Sequence, residues 1–206
     1  MTTIHAVPPR ARSGEESASS PAVLVAERFR TVMEALGLDL EDPNLSGTPL
    51  RVARAYLELF SGLDATNEPE LRTFPNAEGY SQVVALTDVP FHSLCAHHFL
   101  PFFGRAHVAY VPKGRVVGLS KLARVVDYVA RRPQTQEALT EQVVALLDRR
   151  LQPAGAMVVV EARHFCMEMR GVGKAGVSTT TSAIRGAFAD ERRQRQFLDQ
   201  LRRSQS

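Results

Sequence analysis

Two short stretches constrain this chain more than any others. "SLCAHHFLPFFG" (residues 93–104) places Cys95 two positions before His97 and three before His98, and "RHFCMEMRG" (residues 163–171) places His164 two positions before Cys166. Only 2 cysteines occur in 206 residues. Both fall in stretches with strand character. If they serve one site, the fold must bring two distant strands side by side.

Two cysteines in a reducing compartment point to metal binding or thiol chemistry before a disulfide. Along a strand, residues two apart share a face, so His164 and Cys166 are expected to project together. Cys95 and His98 have a Cys-x2-His spacing that a turn can fold around one ion. Adjacent His97 and His98 cannot both reach the same atom from an extended backbone, so one is expected to ligate and the other to stay free nearby. Two thiolates and one imidazole suit Zn2+ with the fourth position open to water. Zinc lowers the pKa of that water to about 7, and free histidines beside it could shuttle protons. The same spacing is compatible with unrelated core residues, or with a closed structural zinc site. A zinc nucleobase deaminase is excluded, because neither H-x-E nor P-C-x-x-C is present. His5, His92 and His107 read as arm, surface or packing residues rather than ligands.

The patterns around these stretches indicate an α+β chain. Residues 1–21 are rich in Pro, Ser, Arg and Glu and read as a disordered arm. Residues 22–80 read as an N-terminal helical segment holding a helix pair. The first helix is "PAVLVAERFRTVMEALGL". The second is "GTPLRVARAYLELFSGL", with Thr48 as its N-cap and Pro49 at its first position. Residues 81–206 read as the main domain. Strand patterns in "SQVVALTDVPFHSLCAHH" and "GRAHVAYVP" precede two helices, "GLSKLARVVDYVARR" and "TQEALTEQVVALLDRRL". The link between them, Pro133 and Gln134, is so short that the pair should be antiparallel. "AMVVVEARHFCMEM" returns to strand character, and the Gly- and Thr-rich "GVGKAGVSTTTSAIRGAF" is expected to close an antiparallel four-stranded sheet before a C-terminal helix.

The first helix of that inner pair is expected to bury Leu119, Leu122, Val125, Val126 and Val129. It also carries Lys121 and Arg124 on one side of its start, where Ser120 can cap it. Free N–H groups, the helix dipole and two cations could hold a phosphate; a solvated basic flank is the plainer reading. "RGVGKAGVSTTT" is no Walker A loop, since Lys174 is followed by Ala175. A net charge of +3 is too slight to argue for nucleic acid. No apolar run approaches the roughly 18 residues that span a bilayer. The start of the sequence lacks the apolar centre of a signal peptide, so a cytoplasmic location is expected.

With "TPLRVARAYLELFSGL", "SLCAHHFLPFFGRAHVAYVP", "GLSKLARVVDYVARRPQTQEALTEQ", "RHFCMEMRG" and "TTTSAIRGAF" occurring in this order, the chain resembles the GTP cyclohydrolase I family over about residues 45–188. The resemblance implies a tunnelling fold, in which antiparallel sheets from five subunits form a barrel. It implies a homodecamer of two stacked pentamers, with pockets shared between neighbouring subunits. It assigns Cys95, His98 and Cys166 as zinc ligands and leaves His97 and His164 as free catalytic histidines. Glu137 corresponds to the acidic residue that reads the guanine edge, and Gln136 stands beside it in the substrate site. Lys121, Arg124 and Arg170 correspond to the triphosphate grip, and Ser120 to a serine near the ribose and phosphate end. The implied reaction converts GTP and water to formate and 7,8-dihydroneopterin triphosphate.

Two positions depart from the family's usual pattern. Ala96 stands where an acidic residue is usual, and Gly173 where a second arginine is usual after "RG". An acid–base pair lost as a unit would leave neither charge unpaired. The departures raise two alternatives: a paralogue that releases a ring-opened formamidopyrimidine or serves secondary metabolism, and a non-catalytic nucleotide-binding member with structural zinc.

Overall fold

The computed structural model describes residues 20–204. They form two compact units, one running to Ala65 and the other starting at Thr66. Most of the expected arm, with His5, lies outside the described residues.

In the first unit, α1 (Pro21–Ala35) starts as its sequence dictates. The Ser20 hydroxyl accepts from the Val23 N–H at 3.3 Å, and Pro21 takes the first position, where its missing N–H costs nothing. α2 (Thr48–Leu59) packs against α1, with Met33, Pro49 and Ala53 buried. Its start corrects the expectation, for Gly47 is the cap, Thr48 the first helical residue and Pro49 the second. The Thr48 hydroxyl is engaged elsewhere: it donates to the Asn44 carbonyl (3.5 Å) and accepts from Arg51 (3.0 Å). This unit ends well before residue 80, and strand structure already begins at Thr73.

In the second unit, β1 (Thr73–Pro75) pairs with β4 (Arg115–Val117) in a small ribbon. The main sheet runs antiparallel through β2 (Val84–Cys95), β3 (Pro101–Val111), β6 (Gly155–His164) and β7 (Ser178–Gly186). These are the four strands expected. A fifth, β5 (Pro133–Gln134), adds a two-residue parallel edge beside the end of β2, pairing Leu94 with Pro133 and Cys95 with Gln134. This edge is the link between α3 (Leu119–Ala130) and α4 (Gln136–Leu151). The short connection therefore does more than turn the chain, because it ties both helices to the strand that ends in Cys95.

Side-chain alternation sorts the sheet into two faces. Ala106, Val108 and Tyr110 of β3, with Ala156, Val158 and Val160 of β6, pack against Leu122, Val125, Val126, Leu139, Val143 and Leu147 of α3 and α4. Ala109, Val111, Met157 and Val159 point the other way. They meet Phe188 and then Phe197 and Leu201 of α6 (Glu191–Ser204). Being buried on both faces explains the unbroken apolar run of β6. Leu119 was expected in the core but is 54% exposed, because it lies at the outer start of α3.

Two local features shape the sheet near its functional end. Between Leu86 and Val89, two β2 residues stand opposite the single residue His107, forming a bulge in which Asp88 takes φ 59°. At Gly104 the backbones of β3 and β6 approach so closely that a Cβ would lie 1.9 Å from the Glu161 carbonyl oxygen.

Candidate metal and active site

β2 ends at Cys95, and the chain turns through residues 96–100 before β3 begins. The turn is built on Cys95 itself. Its carbonyl accepts from the N–H groups of His98 (3.3 Å) and Phe99 (2.8 Å), and its N–H donates to the Leu100 carbonyl at 2.9 Å. Ala96 N–H donates to the Gln134 carbonyl at 3.1 Å, fastening the turn to β5. Phe99, at φ 55°, takes the left-handed conformation that closes it.

This curvature answers the question of the adjacent histidines. The backbone here is not extended, and both imidazoles reach the same thiol: His97 Nδ1 and His98 Nδ1 each lie 3.8 Å from Cys95 Sγ. Potential ligand atoms of the three residues fall within 4.8 Å of one another, with Cys95 buried and both histidines exposed. Spacing alone offered one ligand and one spare. The fold presents both to the sulfur.

Cys166 arrives differently from the expectation. β6 stops at His164, and Cys166 sits in the single helical turn α5 (Phe165–Glu168), so the two do not share a strand face. The thiol still reaches Cys95. Burial, followed by the hydrogen bond and charge of the Cys95 thiol, pushes the Cys166 thiol up, whereas nearby Arg170 draws it down. Two adjacent thiols gathered with imidazole nitrogens form a donor set that a soft divalent cation satisfies by replacing the thiol protons. The residues present therefore fit zinc.

His164, the last residue of β6, projects onto the helix-covered face. Its ring lies flat on Phe102, its cross-strand neighbour, with centroids 4.8 Å apart and planes 2° from parallel. Nε2 lies 2.8 Å from the side-chain oxygen of Gln136, the first residue of α4. Burial holds its pKa below the ordinary histidine value, and the nearby Glu137 carboxylate pulls it partway back. Glu137 is exposed in the first turn of α4, whose start is capped by the Thr135 hydroxyl accepting from Ala138 N–H.

The other expected site residues are placed less closely. Arg170 meets the cluster, with Nη1 2.7 Å from His98 Nε2. Ser120, Lys121 and Arg124 lie in the first two turns of α3, and no hydrogen bond or ion pair joins them to the cluster among the described residues. Ser120 does not cap α3. Gly118 occupies that position, and no side chain caps it. Gln136 is 2% exposed, with its amide bonded entirely within the protein, so here it touches neighbours rather than open space.

Sequence reasoning missed five contributors. Phe102 was legible only as one aromatic of "FLPFFG". Thr140 and Thr181 stand 2.6 Å apart and connect Gln136 to β7. Arg163 and Glu168 brace the turn that carries Cys166. Phe102 and the two threonines act through long-range pairing that no local pattern reveals, whereas Arg163 and Glu168 stand close in sequence around the turn they brace.

A family model described as GTP cyclohydrolase I matches residues 25–202. A protein from Pelotomaculum thermopropionicum named GTP cyclohydrolase 1 is 51% identical over 165 residues, covering 80% of this chain and 87% of its own length. Its namesake in Clostridioides difficile is 49% identical over 165 residues, covering 80% and 87%. That in Bacillus subtilis is 47% identical over 184 residues, covering 87% and 95%. With both cysteines, His97, His98, His164 and the helix-covered antiparallel sheet falling inside the matched span, this chain belongs to the GTP cyclohydrolase I family.

Proposed function

We propose that this chain is a GTP cyclohydrolase that hydrolyses and rearranges GTP to 7,8-dihydroneopterin triphosphate and formate, the opening step of folate and pterin synthesis. The observation that carries the reading is the convergence of Cys95, His97 and His98 with Cys166 in a chain of this family. Cys95, His98 and Cys166 would hold a zinc ion, with His97 left beside it. Bound there, zinc supplies Lewis-acid activation of a water molecule.

The chain's own residues supply the rest. His164 is neutral near pH 7, because burial disfavours its charged form, and so it can take up a proton as the purine ring is hydrated and opened. The Glu137 carboxylate can accept from the N–H groups along the guanine edge, a pattern adenine lacks. Arg170, together with Lys121 and Arg124 on α3, would pair with the triphosphate, and Ser120 lies one residue from Lys121 for the ribose end.

Two features support a homo-oligomer, with a decamer of two pentamers as the proposed form. β7 has no outer strand neighbour among the described residues, and β2 has one only at Leu94 and Cys95. These edges suit continuation of the sheet into neighbouring copies. No described helix is long and apolar enough to cross a membrane. A cytoplasmic location is proposed.

Zinc-loaded protein incubated with GTP tests the reading. Formate should appear together with a product that fluoresces as a pterin after oxidation. Formate without a pterin would favour a ring-opened formamidopyrimidine product, and no turnover would favour a nucleotide-binding role. Relatives close to 50% identity that carry the name GTP cyclohydrolase 1 favour neither alternative.

A further inference from the structure

The hydrogen bonds around Gln136 leave little freedom in where protons lie. Thr140 donates its single hydroxyl proton to the Gln136 backbone carbonyl at 2.8 Å. The 2.6 Å contact between Thr140 and Thr181 must then be a donation from Thr181, whose oxygen is left to accept from the Gln136 amide at 3.1 Å. The same amide nitrogen faces two backbone carbonyls, Val160 at 3.0 Å and Thr179 at 2.9 Å. A flipped amide would set oxygen against both carbonyls in a buried site, which is strongly unfavourable. Its oxygen therefore faces His164 Nε2 at 2.8 Å, and a carbonyl oxygen can only accept.

We infer that Gln136 is a positioning residue rather than a substrate contact: it holds His164 in the Nε2–H form and leaves Nδ1 as the only ring nitrogen able to accept a proton. The Phe102 ring beneath, at 4.8 Å and 2°, holds the imidazole plane in line with the Gln136 oxygen. β6 delivers the ring, α4 the amide and β7 the carbonyl and hydroxyl that orient it. The importance of this tautomer for turnover rests on the reading of His164 as a proton-moving residue; the tautomer itself does not.

The test uses full-length, zinc-loaded protein with 15N-labelled histidine, studied by solid-state NMR at pH 8, with His164→Gln to assign the resonance. The expected wild-type spectrum has a protonated Nε2 and a bare Nδ1 at His164. Gln136→Met should give a mixture of tautomers and lower kcat at least about tenfold with KM little changed, as loss of an oriented base requires. Gln136→Glu keeps an oxygen facing Nε2 that can accept from the ring, and should restore the single tautomer. A wild-type ring protonated on Nδ1, or a spectrum unmoved by Gln136→Met, overturns the inference. The wild-type spectrum decides even if a variant fails to fold. Failure of the functional reading would appear separately, as no formate from wild-type protein.

Discussion

Arg163 and Glu168 close a two-point clamp, Nε to Oε1 at 2.8 Å and Nη2 to Oε2 at 2.6 Å, around the one helical turn that carries Cys166. The guanidinium also lies 5.9 Å from the centre of the Phe103 ring, whose edge contact with Phe165 holds the start of the same turn. The carboxylate is held below its usual range chiefly by the Arg163 hydrogen bond. Removing such a support behind a ligand typically weakens metal binding about 10- to 100-fold. Glu168→Ala should do so by about tenfold in a chelator competition while leaving the unfolding midpoint nearly unchanged. Unaltered zinc retention would show that Cys166 is held by other means.

Cys166 and His164 are neighbours with different proposed tasks, and single substitutions separate them. Cys166→Ala is expected to lose both zinc and turnover. His164→Ala should retain zinc by metal analysis but lose about 100-fold or more in kcat, the scale of a missing acid–base group. Loss of zinc from the second variant would put His164 among the ligands.

His107 should make the fold sensitive to acid. It is fully buried: Nδ1 accepts from the Asp88 N–H at 3.1 Å, and Nε2 has no partner among the described residues. Burial lowers its pKa from 6.5, opposed by the charges of Asp88 and Glu161 and assisted by Arg105. A histidine depressed in the folded state takes up a proton on unfolding. Its contribution is therefore complete above pH 6.5 and declines as pH falls toward the lower folded value. Urea midpoints at pH 7.5 and 5.5 should differ more for wild type than for His107→Gln. Equal differences would assign the acid sensitivity to other groups.

Gly104 tolerates no side chain. A Cβ would stand 1.9 Å from the Glu161 carbonyl oxygen and 2.7 Å from the Ala162 Cα, both backbone atoms that can move only by separating β3 from β6. Gly104→Ala should destabilise the protein by about 3 kcal/mol, at the upper end of overpacking costs, as read from a denaturant midpoint. A loss below about 1 kcal/mol would mean that the strands part easily.

Gly173 bears on the missing acid–base pair. Its φ of 57° suits glycine, and a Cβ there would meet nothing within 4 Å. Gly173→Arg alone should therefore cost about 1 kcal/mol through backbone strain rather than crowding. Adding Ala96→Glu should recover part of that cost if the two positions once formed a pair. Strictly additive effects in the double-mutant cycle would show that they are independent.

Much of this protein can be read from local pattern. Ser20 and Pro21 mark a helix start because capping is a contact over a few residues, and β6 reads as a buried strand because its side chains meet apolar neighbours on both faces. The residue types at the metal cluster were legible for a similar reason: few functions besides metal binding or thiol chemistry place cysteine and histidine at these spacings. Local pattern failed where chain direction changes abruptly. Thr48 and Ser120 looked like caps, but helix starts depend on where the preceding chain turns, and Gly47 and Gly118 took those places.

The sequence by itself determined the class of sheet, the helices that cover it and the donors available for a metal. Only the tertiary structure decided how those donors meet. Cys95 turns its own carbonyl into the pivot that aims both histidines at one sulfur, and α5 swings Cys166 off its strand toward the same thiol. Gln136 faces His164 because α4 begins where β6 ends and β7 supplies the acceptors that orient its amide. Those relations join residues distant along the chain, and their energy exists only once the sheet has closed.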